Sequence, residues 1–276
     1  MKSLLRSAAF VAGAVGASLL AYGAFVESRN LVLERRSIRL RRWPKRLDGF
    51  RIGVMSDLHL WSRRSEVLGR EAVSMLLDEA PDMVAIAGDF VEVWGPHLPR
   101  AIGDLLEPLL VMEGNVVAVP GNHDYKKGPP DPLERILGEL NIKLLRNQSW
   151  KHQGITWVGV DSVNVEMADL SRAFADVEQE PVVVLWHEPD LNWALPRPCA
   201  LQISGHGHGG QFVLPGGIVP MHTRNGKRYP GGYYPDAETP LFVSRGVGTT
   251  FLPSRFLCPP EVTILTLYSD EEAESS

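Results

Sequence analysis

Five short apolar runs in this 276-residue chain each end in a loop containing aspartate, histidine or asparagine, and four of the five loops also contain glycine or proline. The loops are SDLHL (Ser56 to Leu60), GDFVE (Gly88 to Glu92), GNHDY (Gly121 to Tyr125), WHEPD (Trp186 to Asp190) and SGHGHGGQ (Ser204 to Gln211). An apolar run this short, ended by turn formers, reads as a buried strand. Strands of one sheet bring their C-terminal ends together, so the pattern requires a fold in which side chains far apart in sequence meet along one edge. Of the eight histidines, His59, His123, His187, His206 and His208 lie in these loops. His97, His152 and His222 do not, and read as structural or surface residues.

Arg51 to Ser56 predicts a strand, Val67 to Leu77 a helix, and MVAIAGD after Pro81-Asp82 a second strand. Helical spacing near Ile102 to Leu110 precedes a strand at Asn115 to Val119, and Leu133 to Leu140 reads as a further helix. The second half changes rhythm: IKLLRN, ITWVGV, PVVVLWH, ALQISGH, PLFVSRG and EVTILTLY are strand-like, with one short helical piece near Ala168 to Phe174. Alternation followed by clustered strands predicts an α/β domain over 49–269, with two sheets face to face and helices on their outer sides. Gly209 to Gly232, rich in Gly and Pro, is long for a connection and predicts a loop bordering the site. The acidic tail, 270–276, is expected to fray.

Asp and His mixed with Asn suit a divalent ion of intermediate hardness, such as manganese, iron or zinc, better than the all-oxygen sites typical of calcium and magnesium. Two cysteines, Cys199 and Cys258, are too few and too distant for a disulfide framework or a structural zinc site. A formal net charge of -5 argues against a nucleic-acid coat protein. In GHGHGG the two histidines would share a face in an extended strand, and the glycines let the chain bend so that each imidazole reaches a different ion.

The five blocks, in this order, resemble the motif series of the calcineurin-like metallophosphoesterases over roughly Arg51 to Leu267. The resemblance implies a four-layer αββα sandwich and two divalent ions, with Mn2+ expected and Fe, Zn or Mg as alternatives. It implies that Asp57, His59, Asp89 and His208 hold one ion and that Asp89, Asn122, His187 and His206 hold the other. His123 would contact the phosphoryl group and protonate the leaving oxygen, with Asp124 orienting it. Two departures from common family forms are Glu92, where Asp is frequent, and Gly207, where a larger polar residue is usual. Neither is a ligand position.

From Ser7 to Val26 the chain has no charge, which is the length of a membrane-crossing helix although much of it is Ala and Gly. The expectation is one N-terminal transmembrane helix, a membrane anchor over 1–28, followed by a basic linker over 29–48 that lies along anionic headgroups or in solvent. The competing reading is a cleaved signal peptide, with Lys2 and Arg6 before the segment and Ala21-Tyr22-Gly23 as its cleavage site. Arg29, Arg35, Arg36, Arg39, Arg41, Arg42, Lys45 and Arg46 favour retention and a cytoplasmic catalytic domain at the inner membrane.

The anchor, the Arg-rich stretch and GFRIGVMSDLHL resemble the membrane-attached YaeI/YkuE-like branch. That branch is similar to enzymes splitting the pyrophosphate of UDP-2,3-diacylglucosamine in lipid A synthesis, so a phosphorylated lipid-linked or nucleotide substrate is expected. Trp61, Arg224, Lys227 and Arg228 are candidate substrate-binding residues, weighed against a merely solvated basic surface. A general phosphodiesterase or phosphatase for other lipids or small nucleotides is the alternative, and a scaffold without catalysis a third. Nucleic acid is not an expected partner.

Overall fold

The computed structural model describes residues 2–178 and 180–270. Helices α1 (Lys2–Phe25), α2 (Arg63–Asp78), α3 (Leu98–Leu106), α4 (Asp131–Glu139) and α5 (Leu170–Ala173) accompany two six-stranded sheets. The strands are β1 (Val32–Leu40), β2 (Phe50–Met55), β3 (Met83–Ile86), β4 (Val116–Ala118), β5 (Lys143–Leu144), β6 (Gln148–His152), β7 (Ile155–Val160), β8 (Val182–Trp186), β9 (Leu201–Ser204), β10 (Gly232–Tyr234), β11 (Leu241–Val243) and β12 (Glu261–Ser269). The first sheet runs β1-β12-β2-β3-β4-β5 and the second β10-β11-β9-β8-β7-β6.

Side-chain alternation explains the layering. In β3, Met83 and Ala85 point between the sheets, where they join Ile52, Val117, Trp157, Val183, Leu185 and Ile203. Val84 and Ile86 point the other way, onto Leu68, Ala72 and Leu76 of α2 and Ile102 of α3. A strand buried on both faces must be apolar at every position, as MVAI is. Helix α2 begins at Ser62, whose side chain accepts from the Ser65 amide at 3.3 Å, and its apolar side lies on the sheet. On the outer face of the second sheet, Val158, Val160, Val184 and Trp186 are covered by the four-residue α5 and by turns, so the fourth layer is thin.

β2, β3 and β4 are parallel, as are β7, β8, β9 and β11. The loops after β2, β3, β4, β8 and β9 are the five ligand loops, so both sheets deliver them to a common edge.

Two expectations are corrected. The segment 29–48 is not a linker throughout: Val32 to Leu40 forms an edge strand in parallel register with β12, Val32 opposite Glu261 and Leu40 opposite Ser269. Ile38, Leu40 and Trp43 are buried in the layer between the sheets, while the arginines lie outward, and Arg35 pairs with Glu79. Charged side chains are a common guard on exposed strand edges. The apolar N-terminal segment does form a helix, but among the described residues no helix is long and apolar enough to cross a membrane. Gly13, Gly16, Ser18, Tyr22 and Gly23 dilute the apolar content of α1. Its last turn is seated on the domain, where Arg255 N donates to Gly23 O at 3.2 Å and Ser254 Oγ to Leu20 O at 3.3 Å. The tail beyond Asp270 lies outside the described residues.

Candidate metal centre

Strained backbone marks the site first. Asp57, His59, Asp89, His206 and His208 have φ of 52°, 43°, 56°, 67° and 51°, the left-handed region that L side chains enter at a cost of about 1–3 kcal/mol each. Such a concentration persists only where packing over-determines the chain, and here the packing is backbone against ligand. A Cβ on Gly121 would collide with the Asp89 carboxylate, and one on Gly205 with that of Asp57. Glycine at these two positions is therefore required by close approach.

Donors from four of the five loops converge into two groups whose ligand atoms lie within 4.8 Å of one another, Asp57, His59 and His208, and Asp89, His187 and His206, and a third group of His59, Glu92 and His123 adjoins them from the GNHDY loop. His208 Nε2 stands 3.3 Å from Asp57 Oδ1 and 3.1 Å from His59 Nε2. His187 Nε2 is 3.2 Å from Asp89 Oδ2 and His59 Nε2 is 3.5 Å from the same oxygen. Asp89 thus faces both groups, and all six side chains are buried. Asn122 Oδ1 is buried with no hydrogen-bond partner, and neither does His187 Nε2 have a geometrically formed one.

Contacts behind the imidazoles decide which nitrogen each presents. The Nδ1 of His187 lies 2.6 Å from Ala87 O, the Nε2 of His206 lies 2.6 Å from Arg224 O, and the Nδ1 of His59 lies 2.7 Å from a Glu92 carboxylate oxygen. The carbonyls hold the proton-bearing nitrogens of His187 and His206 outward and turn the others inward, as metal-ligating histidines require, and the Glu92 carboxylate lies close to the outer nitrogen of His59.

Charge in the cluster is balanced by protons. Burial pushes Asp57 up, but His208, His59 and His187 carry its carboxyl below the usual range, and His187 with His59 does the same for Asp89. Burial alone would lower His59, yet the neighbouring carboxylates of Asp57, Glu92 and Asp89 raise it to about 9, and Asp89 raises His187 against its own burial. Burial holds His206 below its ordinary value and His208 at about 3, so both are neutral donors. Two buried carboxylates surrounded by imidazoles make a concentration of donors suited to cations, which displace protons from such groups when they bind. The donor set fits two divalent ions.

His123 borders this cluster. Its Nδ1 is 3.0 Å from Glu92 O and 3.1 Å from the Glu92 carboxylate, and Lys126 Nζ stands 2.6 Å from its Nδ1 and 3.1 Å from its Nε2. Glu92 therefore touches both His59 and His123, a role the sequence did not disclose. Asp124 does not touch His123: its carboxylate accepts from the amides of Phe90, Val91 and Gly121 at 2.8, 3.2 and 2.9 Å. Three amide donors consume its oxygens, and the result ties the Asp89 loop to the Asn122 loop. The expected orienting role of Asp124 is corrected accordingly, with Glu92 in that position.

The long loop after β9 closes one side. The carboxylate of Asp190 accepts from the amides of Lys227, Arg228 and Tyr229, leaving those two basic side chains exposed, with the Arg228 guanidinium 5.0 Å from the Tyr229 ring centroid. Arg224 meets His206 through its carbonyl, and its side chain is exposed. Trp61 lies on another side, at a cavity of about 310 Å³ shared with Ser28, Arg64 and Pro253. The structure does not gather these four residues at one point. Two further residues escaped sequence reasoning: buried Glu188 accepts from Ser162 Oγ at 2.5 Å, and Asn164 Nδ2 donates to Arg224 O at 3.1 Å. A Cβ on Gly207 would strike the Pro230 carbonyl, which explains glycine there. His152 stacks on Trp150 at 4.1 Å, as a structural residue.

Comparison with known proteins gives the following matches. The profile of the Calcineurin-like phosphoesterase family matches residues 50–210. The uncharacterized metallophosphoesterase YkuE of Bacillus subtilis is 31% identical over 264 residues, covering 90% of this chain and 89% of that protein. Phosphodiesterase YaeI of Escherichia coli is 28% identical over 231 residues, covering 79% and 82%. A zebrafish transmembrane protein with metallophosphoesterase domain is 28% identical over 245 residues, covering 81% of this chain and 54% of that protein.

Proposed function

This chain belongs to the calcineurin-like phosphoesterase family and is a hydrolase, and we propose that it cleaves a phosphodiester or pyrophosphate bond of a membrane-associated substrate with two divalent ions, manganese first among them. The observation that carries the reading is the convergence of buried Asp57, His59, Asp89, His187, His206 and His208, with the imidazoles turned by their outer contacts. Asp57, His59, Asp89 and His208 would hold one ion, and Asp89, Asn122, His187 and His206 the other. When bound, the ions supply Lewis-acid polarisation of phosphoryl oxygens and a water of lowered pKa.

The chain's own groups do the rest. The Glu92 carbonyl at His123 Nδ1 fixes the ring and leaves Nε2 to give a proton to the departing oxygen. Lys126, against the edge of the same ring, supplies positive charge to phosphoryl oxygens as negative charge develops there. No side chain is needed as a nucleophile, so no phosphoenzyme is expected.

The finer reading is a UDP-linked acylated sugar, UDP-2,3-diacylglucosamine of lipid A synthesis, cleaved at the cytoplasmic face of the inner membrane. Its support is the resemblance in motifs and basic N-terminal stretch, the name phosphodiesterase carried by YaeI, the membrane description of the zebrafish relative, and the exposed Arg224, Lys227 and Arg228 beside His206. Other lipids or small nucleotides are the alternative substrates.

The test is a panel containing that sugar nucleotide, phospholipids, a cyclic nucleotide and single-stranded DNA, with and without added Mn2+. Cleavage of the sugar nucleotide by the wild type, and loss of all turnover together with bound metal in Asp89→Ala, is the expected result. Undiminished activity in Asp89→Ala defeats the mechanism, and cleavage of DNA alone defeats the substrate. Arg224→Ala and Arg228→Ala should change preference among substrates without changing metal content.

A further inference from the structure

Two segments beside the metal centre, loops that include the short strands β10 and β11, contain no acidic residue in a chain of net charge -5: Gln211 to Pro235, and Pro240 to Pro260. The first carries exposed Arg224, Lys227 and Arg228, while on the second Arg245 is paired with Glu34 and Glu261 and Arg255 is buried. The same loops hold large apolar side chains in the open: Ile218 is 61% exposed, Met221 46%, Phe251 86%, Leu252 47% and Leu257 54%. Met221 and Phe251 wall a small cavity whose other side is the ligand His208. The second loop is also the seat of α1, through Ser254 and Arg255, and α1 ends in exposed Phe25 and Val26 with the Arg29 guanidinium 5.8 Å from the Phe25 ring centroid. Scattered exposed apolar residues need no explanation, but a set gathered on two neighbouring segments and the end of α1 does.

We propose that this rim is a docking surface for a lipid bilayer bearing anionic headgroups, holding the mouth of the metal centre against the membrane. Charge chooses the occupant: apolar side chains flanked by exposed Arg29, Arg224, Lys227 and Arg228 match an interface that is apolar within and negative at its surface. This differs from a spanning helix, since it calls only for side-chain insertion at headgroup depth. The inference deepens the membrane-substrate reading of the same site. It does not depend on turnover.

The experiment uses the full chain. Cys199 and Cys258 are each 1% exposed, so Phe251→Cys can be labelled there alone with a polarity-sensitive fluorophore. Emission should rise and shift blue on adding phosphatidylcholine vesicles containing phosphatidylglycerol, and a quencher carried on the acyl chains should suppress it. In co-sedimentation with those vesicles, the double variant Phe251→Ser with Leu252→Ser should partition at least about tenfold less than wild type, on the scale of withdrawing one apolar side chain from the bilayer. Its Mn2+-dependent hydrolysis of soluble bis(p-nitrophenyl) phosphate should stay within twofold of wild type. Unchanged emission, or equal partitioning of the double variant, overturns the proposal. So does a concentration-dependent dimer abolished by the same substitutions, which would make the rim a protein interface. Vesicle binding by a wild-type protein inert toward every phosphoester would leave the docking surface standing and sink the phosphoesterase reading.

Discussion

Replacing Arg255 with Met should destabilise the domain more than any other surface-loop substitution. The guanidinium is fully buried and faces no carboxylate within hydrogen-bond reach. It donates instead to four carbonyls: Gly248 O at 2.5 Å, Arg245 O at 2.8 Å, Gly246 O at 3.1 Å and Cys258 O at 3.3 Å. Stranding one buried acceptor costs about 1–3 kcal/mol, and relief from burying the cation returns part of the sum. A net loss of about 3–5 kcal/mol follows, a large share of the roughly 5–15 kcal/mol that holds a domain folded. At this size it corresponds to a fall of about 10 °C in Tm. The damage should reach the site, because Val247 N donates to Ser56 O at 3.0 Å and Gly248 N to Asp57 O at 2.6 Å. Urea unfolding of wild type, Arg255→Met and Arg255→Lys, each metal-loaded and EDTA-treated, measures the effect. Lysine, with fewer donors, should recover only part of the loss. A change below about 1 kcal/mol in Arg255→Met would show that water satisfies the carbonyls and that the guanidinium does not organise this loop.

Three other outcomes are expected. His59 is raised from 6.5 to about 9 in the metal-free cluster. A raised folded-state value stabilises fully below the unfolded one, so EDTA-treated protein should lose on the order of 3 kcal/mol as pH rises from about 6.5 through about 9; thermal melts across that range check it, and a flat profile contradicts it. Glu92→Gln should lower turnover about 10–100-fold through its contacts with His59 and His123, with Glu92→Asp recovering part, measured as kcat beside metal content. Burial pushes the Cys199 thiol to about 12 and raises Cys258 as well, so iodoacetamide at pH 8 should modify neither until denaturant is added, as read by mass spectrometry.

The ligand loops were legible because their chemistry restricts residue type and their geometry restricts neighbours. Asp89 and Asn122 can approach only across Gly121, so the requirement is written in the residues themselves. β3 and β8 were legible because burial on both faces leaves a continuous apolar run. β1 was hidden, since only Ile38 and Leu40 of its nine residues are buried and arginines occupy the outward positions of an edge. β6, QSWKH, is half-buried and polar for the same reason. Trp61 and Arg224 sit near ligands in sequence, yet proximity along a loop does not say which way a side chain leaves it.

Supporting contacts were illegible for a different reason. Glu92 and Asp124 are both acids beside a ligand loop, and sequence cannot tell which faces an imidazole and which faces amides. The answer depends on backbone direction: left-handed Asp89 turns the loop so that the following amides of Phe90 and Val91 aim at Asp124. That same turn leaves Glu92 beside His59 and His123. The strain at the five ligand positions and the placement of the second carboxylate are thus one structural event, held by sheets that fix both ends of each loop. Relaxing any one of these turns would move a ligand and the group that orients it together.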